Sequence, residues 1–376
     1  NNDAAGATTG AAISITSGTL NLSNSIIWNH ATSINLADQT VTCSDIQGGY
    51  AGTGNLNLNP LFIDPASSNF HLRSTSPVID RCASGQTFDF DNEARPVTYS
   101  DPAVPYDMGA DEASLRVGLN GAGCAYGRIQ DAVDAAVSGD TIQVKGETFV
   151  ELVTVTGKNL TIAGGYDADC QTDLDSHTTV DAAGSGRVFT VTDSLLTLHN
   201  LTLTGGNTGN GGGLALLSSS TQVTLEDTDI GYNQASNGGG VYIGTGALLT
   251  LTDDSDISHN SASLAGGGAR VWGRLVGNDF NSAISYNTSL NGGGVSVPAT
   301  GGVLDLAGSH IMYNQADPAA GLGGGIHAYN GGVINISGSS NIAGNTALNG
   351  AGIYADAATL SIGAAVIHSN TANNHG

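Results

Sequence analysis

The chain has 376 residues, 55 of them glycine, and only 11% are charged; 33 acidic against 10 basic side chains leave a net charge of −23 at pH 7. Without a basic patch, that field argues against nucleic acid and anionic membrane as partners. No run of 18 apolar residues occurs, which excludes a membrane-spanning helix, and no membrane insertion is expected. The four cysteines include no Cys-x-x-Cys pair, which removes zinc ribbons and c-type haem attachment.

In chain order, residues 1–45 read as β-helix coil. Their opening, Asn1-Asn2-Asp3, suits a processed or excised segment rather than a signal peptide. Gly10-Ala11-Ala12-Ile13, Leu20-Asn21-Leu22 and Ile26-Ile27-Trp28-Asn29 parallel Gly350-Ala351-Gly352-Ile353, Leu360-Ser361-Ile362 and Val366-Ile367-His368-Ser369-Asn370 near the other end. Residues 46–112 read as a loop-rich cap and residues 113–140 as a linker with a capping helix. That helix spans 128–137, where Ile129, Val133 and Ala136 share a face and Ser138-Gly139-Asp140 ends it. Lying over an open solenoid end, it would shield exposed strand edges.

Residues 141–376 repeat one phrase: an aromatic residue, Asn, a short polar stretch, a glycine triplet and an aliphatic residue. It occurs as Tyr232-Asn233 with Gly238-Gly239-Gly240-Val241, His259-Asn260 with Gly266-Gly267-Gly268-Ala269, Tyr286-Asn287 with Gly292-Gly293-Gly294-Val295, and Tyr313-Asn314 with Gly323-Gly324-Gly325-Ile326. The asparagines at 233, 260, 287, 314, 345 and 370 step by 27, 27, 27, 31 and 25 residues. Such a period marks a solenoid, each unit burying its apolar face on its neighbours. Alternation such as Leu248-Leu249-Thr250-Leu251 marks short strands with one face inward. The expected fold is therefore all-β, a right-handed parallel β-helix with one short capping α-helix and three strands per coil. Leu203, Val223, Leu225, Leu249, Leu251, Leu304, Leu306, Ile334, Ile336, Leu360 and Ile362 are expected to point inward. The glycine triplet is placed at a sharp turn with positive φ, the Asn in the left-handed region with a ladder to its counterparts, and Tyr232, His259, Tyr286 and Tyr313 in a stack.

Two stretches carry a resemblance. Residues 122–166, followed by the glycine-triplet coils, look like the start of secreted bacterial right-handed parallel β-helix proteins. Residues 59–112 resemble the segment of such proteins called a choice-of-anchor Q domain, through Asn59-Pro60-Leu61-Phe62-Ile63-Asp64-Pro65, Ser76-Pro77-Val78-Ile79-Asp80, Arg95-Pro96 and Tyr106-Asp107-Met108-Gly109-Ala110-Asp111-Glu112. The resemblance implies the fold and an extracellular or cell-surface setting in bacteria. It implies no particular activity. The order is unusual, with a terminal cap at the beginning and an initial cap in the middle, so the two halves read as one solenoid cut in its middle. A tandem protein, a permuted monomer and head-to-tail self-association each account for that order. The last makes Gly10, Ile13, Asn370 and His375 the expected assembly interface and the chain a filament subunit.

The cysteines form two local pairs, Cys124 with Cys170 and Cys43 with Cys82. An even count in a lysine-poor polar chain predicts two disulfides in an oxidising compartment, the alternative being buried free thiols. The most suggestive carboxylates are Asp227 and Asp229, with Asp254 and Asp256 one coil on. They suit solvated turns, a Ca²⁺ site or a glycosidase-type pair, with Arg270 and Arg274 the nearby cations. Asp89-Phe90-Asp91-Asn92-Glu93 could also ligate Ca²⁺ but lacks EF-hand spacing. The histidines lack metal spacing, and the glycine triplets lack the Gly-Lys-Ser/Thr of a phosphate loop. No motif demands a cofactor. The leading expectation is a non-catalytic extracellular structural protein, extracellular polysaccharide being a further partner. A polysaccharide lyase or hydrolase and a glycan-binding adhesin stand as alternatives.

Overall fold

A computed structural model describes residues 12–13, 17–29, 39–65, 68–73, 76–90, 95, 103–113, 115–299 and 301–375. It separates into two compact units. One comprises Asn1–Leu115 with Ala125–Gly127, the other Arg116–Cys124 with Arg128–Gly376.

The larger unit is a parallel β-solenoid. In a typical coil the chain passes through Gln222–Glu226, Asp229–Gly231, Gln234–Asn237 and Val241–Ile243, then re-enters the first wall at Leu248–Thr252. These four segments belong to four sheets, here A, B, C and D in that order; B has nine strands, C seven and D eight. Pairing between coils is parallel and in register, with Leu225 beside Leu251, Ile230 beside Ile257 and Val241 beside Ala269. The core follows from alternation: Leu203, Val223, Leu225, Leu249, Leu251, Leu304, Leu306, Ile334 and Ile336 are all buried.

Two expectations need correction. The coil has four strands rather than three, because the polar stretch after each Asn is itself a strand. Its side chains do not alternate between apolar and polar, so period 2 gave no sign of it. Instead it packs against the glycine triplet. A Cβ on Gly239 would lie 2.5 Å from both the Gly267 and Ser261 carbonyl oxygens, so backbone lies directly on backbone there. Only the first glycine of each triplet uses positive φ, as Gly238 does at 60°. The second correction concerns Leu360 and Ile362. They pair with Ile334 and Ile336 in the inward register but are 41% and 48% exposed, since they belong to the last described coil.

At the other end, Ile129–Ala135 forms the expected helix, burying Ile129, Ala132 and Val133. Glu151 accepts from the backbone N–H of Ile129 (2.8 Å) and Gln130 (3.2 Å), filling the role of an absent N-cap side chain. Lys158 Nζ donates to the carbonyls of Val133 and Asp134 near the helix C-terminus. Beyond it, Val117–Leu119 pairs antiparallel with Thr141–Lys145 and occupies that strand's outer edge.

The smaller unit contains short parallel coils, with Asn21–Ser23 beside Thr40–Thr42 and Ile26–Ile27 beside Asp45–Ile46, around a core of Ile27, Val41 and Ile46. Its loop-rich part is held by the motif residues. Ser76 Oγ donates to the Pro60 carbonyl, and Val78 and Met108 are buried in the core. Arg95 pairs with Glu112 at 2.8 Å and donates to the Gly109 and Asp107 carbonyls. The Asp107 carboxyl receives the N–H groups of Asp80 and Ala113, while burial pushes its pKa up to about 7.

Candidate functional site

The recurrent asparagines form a continuous amide ladder at the corner between sheets B and C. Asn233, Asn260, Asn287 and Asn314 each donate from Nδ2 to the Oδ1 of the next at 3.0–3.1 Å, and the same Oδ1 accepts the backbone N–H of the donating asparagine. Each second Nδ2 hydrogen goes to a carbonyl one coil back, as from Asn260 to Ile230. Every amide in this buried column is thereby satisfied, the condition for placing it inside an apolar core.

The residue before each Asn, not the Asn itself, occupies the left-handed region: φ is 59° at Tyr232, 57° at His259 and 56° at Tyr286 and Tyr313. Their rings stack at 4.9, 5.1 and 5.1 Å with interplanar angles of 14–17°. Asn29, two residues after Ile27, has φ 62° and so stands at the aromatic position rather than the ladder position. Its alignment with Asn370 is therefore one residue out of phase.

The four aspartates lie at the corner between sheets A and B. Asp227 (φ 45°) sits with its Oδ1 3.4 Å from His177 Nε2, and its backbone N–H pairs with Asp253 O. Asp229 and Asp256 begin successive sheet-B strands. Burial raises both pKa values, Asp256 to about 6, and the neighbouring carboxylates add to this. Asp256 Oδ1 accepts the Ala283 N–H at 2.7 Å. The Asp254 N–H donates to Asp279 Oδ2, which also accepts from the backbone of Asn281 and Ser282. Asp279 was not singled out in the sequence, though Asp-x-Asn-Ser in a turn is a signal for it. Among the described residues no group of three or more His, Cys, Asp or Glu is arranged to hold a metal ion; Asp91, Asn92 and Glu93 lie outside them. The two expected cations do not serve the corner: Arg274 pairs with Asp305 at 2.6 Å, and Arg270 lies in sheet D.

Both expected disulfides are formed, Cys43–Cys82 and Cys124–Cys170, and no described cysteine is free. They point to an oxidising environment. No described helix is long and apolar enough to cross a membrane. Of the expected interface residues, Gly10 lies outside the described residues. Ile13 packs on the core of Ile27, Val41 and Ile46. Asn370 receives the last ladder bond, from Asn345 Nδ2 at 2.9 Å. His375 pairs with Asn349 in the last sheet-C strand.

The fold and its ladders define a disulfide-bonded parallel β-solenoid repeat protein. No protein-family model matches the chain, and neither do the curated proteins or solved structures with which it was compared.

Proposed function

We propose that the chain is a non-catalytic structural protein of a bacterial surface or extracellular matrix whose copies join head to tail through solenoid ends. The observation that carries this reading is the last described coil. Leu360, Ile362 and Ile367 are 41–48% exposed, although their register partners one coil earlier, Ile334, Ile336 and Ile342, are buried in the core. A further coil stacked there would bury them, and residues 10–29 carry a coil's pattern in Ile13, Leu20, Leu22 and Ile27. One coil-to-coil junction covers about 500–1,000 Å², at the low end of specific interfaces. Covering three half-exposed side chains contributes about 1 kcal/mol each, so the strand-edge hydrogen bonds must supply the rest against the cost of association. The −23 charge opposes lateral clumping of such fibres.

The non-catalytic part draws support from the acidic corner, where Asp256 and Asp279 accept turn N–H groups. The choice-of-anchor Q resemblance of residues 59–112 supports the surface setting. Electron microscopy and sedimentation of purified protein over a concentration series test the reading. Head-to-tail fibres that Ile362→Asp abolishes are expected; discrete monomers throughout the series refute it. Cleavage of pectin or alginate, lost on Asp254→Ala, would replace it with the enzyme reading.

A further inference from the structure

The middle residue of each sheet-D strand, two positions after each glycine triplet, points away from the core. Pairing between coils sets these residues in one row: Tyr242, Arg270, Ser296, His327 and Tyr354. The row runs along the solenoid axis at the strand spacing of about 4.8 Å. Arg270 is its charge. The guanidinium lies 5.7 Å from the Trp272 ring centroid and 5.9 Å from that of Tyr329. Nη1 donates to Ser296 Oγ at 3.1 Å and Nη2 to Tyr329 Oη at 2.9 Å. Two of the five guanidinium donors are thus used, both on neutral oxygens. Among the described residues Arg270 has no carboxylate partner, in a chain carrying 33 acidic side chains.

Beside it, His327 is 9% exposed, and its buried Nδ1 has no hydrogen-bond partner. Its ring stacks on Tyr329 at 4.7 Å and meets Tyr354 edge-on at 5.6 Å. Burial and the Arg270 charge push its pKa down to about 4 against the opposing pull of Asp356, so the ring is neutral at physiological pH. Arg270 is therefore the row's cation, flanked by half-buried aromatic rings.

We propose that this face binds an acidic glycan, with a hexuronate carboxylate on Arg270 and the sugar rings against Trp272, Tyr329 and Tyr354. A guanidinium presents paired donors matching a carboxylate, and partial burial among aromatics strengthens such a contact. A linear row without a deep cavity suits a polymer laid along the axis. The Tyr232–Tyr313 column is the poorer platform, because its rings already cover one another's faces. The site is independent of head-to-tail joining, since it lies on the side of the coil stack.

Isothermal titration of the full chain tests it, using polygalacturonate, sulfated dextran, plain dextran and poly-glutamate. The expected result is binding of polygalacturonate that Arg270→Gln weakens about tenfold or more, and Trp272→Ala also weakens. Arg274→Gln removes the same charge from sheet A and leaves binding unchanged. Thermal melts of each variant confirm folding; if Arg270→Gln fails to fold, Arg270→Lys carries the test through loss of the paired donors. Stronger binding of sulfated dextran would assign the anion as sulfate on the same glycan class. Equal binding of plain dextran or poly-glutamate, equal loss from Arg274→Gln, or no binding of either acidic glycan would overturn the proposal.

Discussion

Asn314 Nδ2 lies 3.1 Å from Asn345 Oδ1, although 31 residues separate them where their predecessors are 27 apart. All four extra residues fall between Asn314 and Gly323, inside sheet C. There Asp317 Oδ1 accepts the N–H of Ala319 and Ala320, and the Asp317 carbonyl accepts that of Gly321. The core walls never feel the insertion. Inserting two glycines between Ala319 and Ala320 should lower the melting temperature little, whereas the same insertion at Thr250, between the buried Leu249 and Leu251, should prevent folding. Expression yield and thermal melts of the two variants check this.

Replacing one ladder amide tests its weight. Asn287→Ala leaves the Asn260 backbone N–H and one Nδ2 hydrogen buried without acceptors, at about 1–3 kcal/mol each. A loss of about 3–5 kcal/mol is expected in urea unfolding. Tyr286→Gly next door should come out near neutral. It relieves a left-handed backbone costing about 1–2 kcal/mol and loses two ring stacks of about 0.5–1.5 kcal/mol each.

The disulfides close loops with sequence separations of 39 and 46 residues, which in the chain-entropy account contribute about 4 kcal/mol each. Cys43→Ser/Cys82→Ser should loosen the smaller unit, and Cys124→Ser/Cys170→Ser the helix-bearing end of the larger one. Hydrogen exchange localises each effect; protection unchanged in both variants would contradict it.

Asp256→Asn has a definite sign with pH. The folded-state pKa of about 6 lies above the unfolded value of 3.8, so the native carboxyl's contribution is full below pH 3.8 and lost as pH rises through 6. Asn keeps the Oδ1 acceptor for Ala283 and carries no charge. The variant should therefore melt higher than the parent at pH 8 and equally at pH 3.5. Millimolar Ca²⁺ or EDTA should leave the parent's melting temperature unchanged, because backbone N–H groups already occupy Asp256 and Asp279 and, among the described residues, no group of three or more His, Cys, Asp or Glu is arranged to hold a metal ion.

The solenoid, its aromatic stack, most inward residues and both cysteine pairs were legible because each follows from spacing alone. The fourth strand was not, since Gln234-Ala235-Ser236-Asn237 gains its order from glycine backbone one turn away, a contact with no side-chain pattern. The left-handed residue was misplaced because Asn is the usual occupant of that region; here the amide is claimed by the ladder and stacking holds Tyr232 or Tyr286 in its place. The exposure of Leu360 and Ile362 depends on what lies next along the axis, which no repeat encodes about itself. The Arg270 row needed coil-to-coil register: Arg270 and His327 are 57 positions apart, and their nearness is visible only once the triplets are aligned.

The amide column also has a direction. Each Nδ2 gives its proton toward the higher-numbered coil, so the column behaves as a vector, and its two ends differ chemically. At Asn370 the Oδ1 is already taken by Asn345, and Nδ2 donates one hydrogen to Ile342 O. The other hydrogen and the backbone N–H meet no further coil among the described residues. Two such ends brought face to face would set donor against donor. Any copy stacked on the end that carries Asn370 would therefore have to lead with oxygen, so the proposed stacking would have a polarity and could not pair that end with its own mirror.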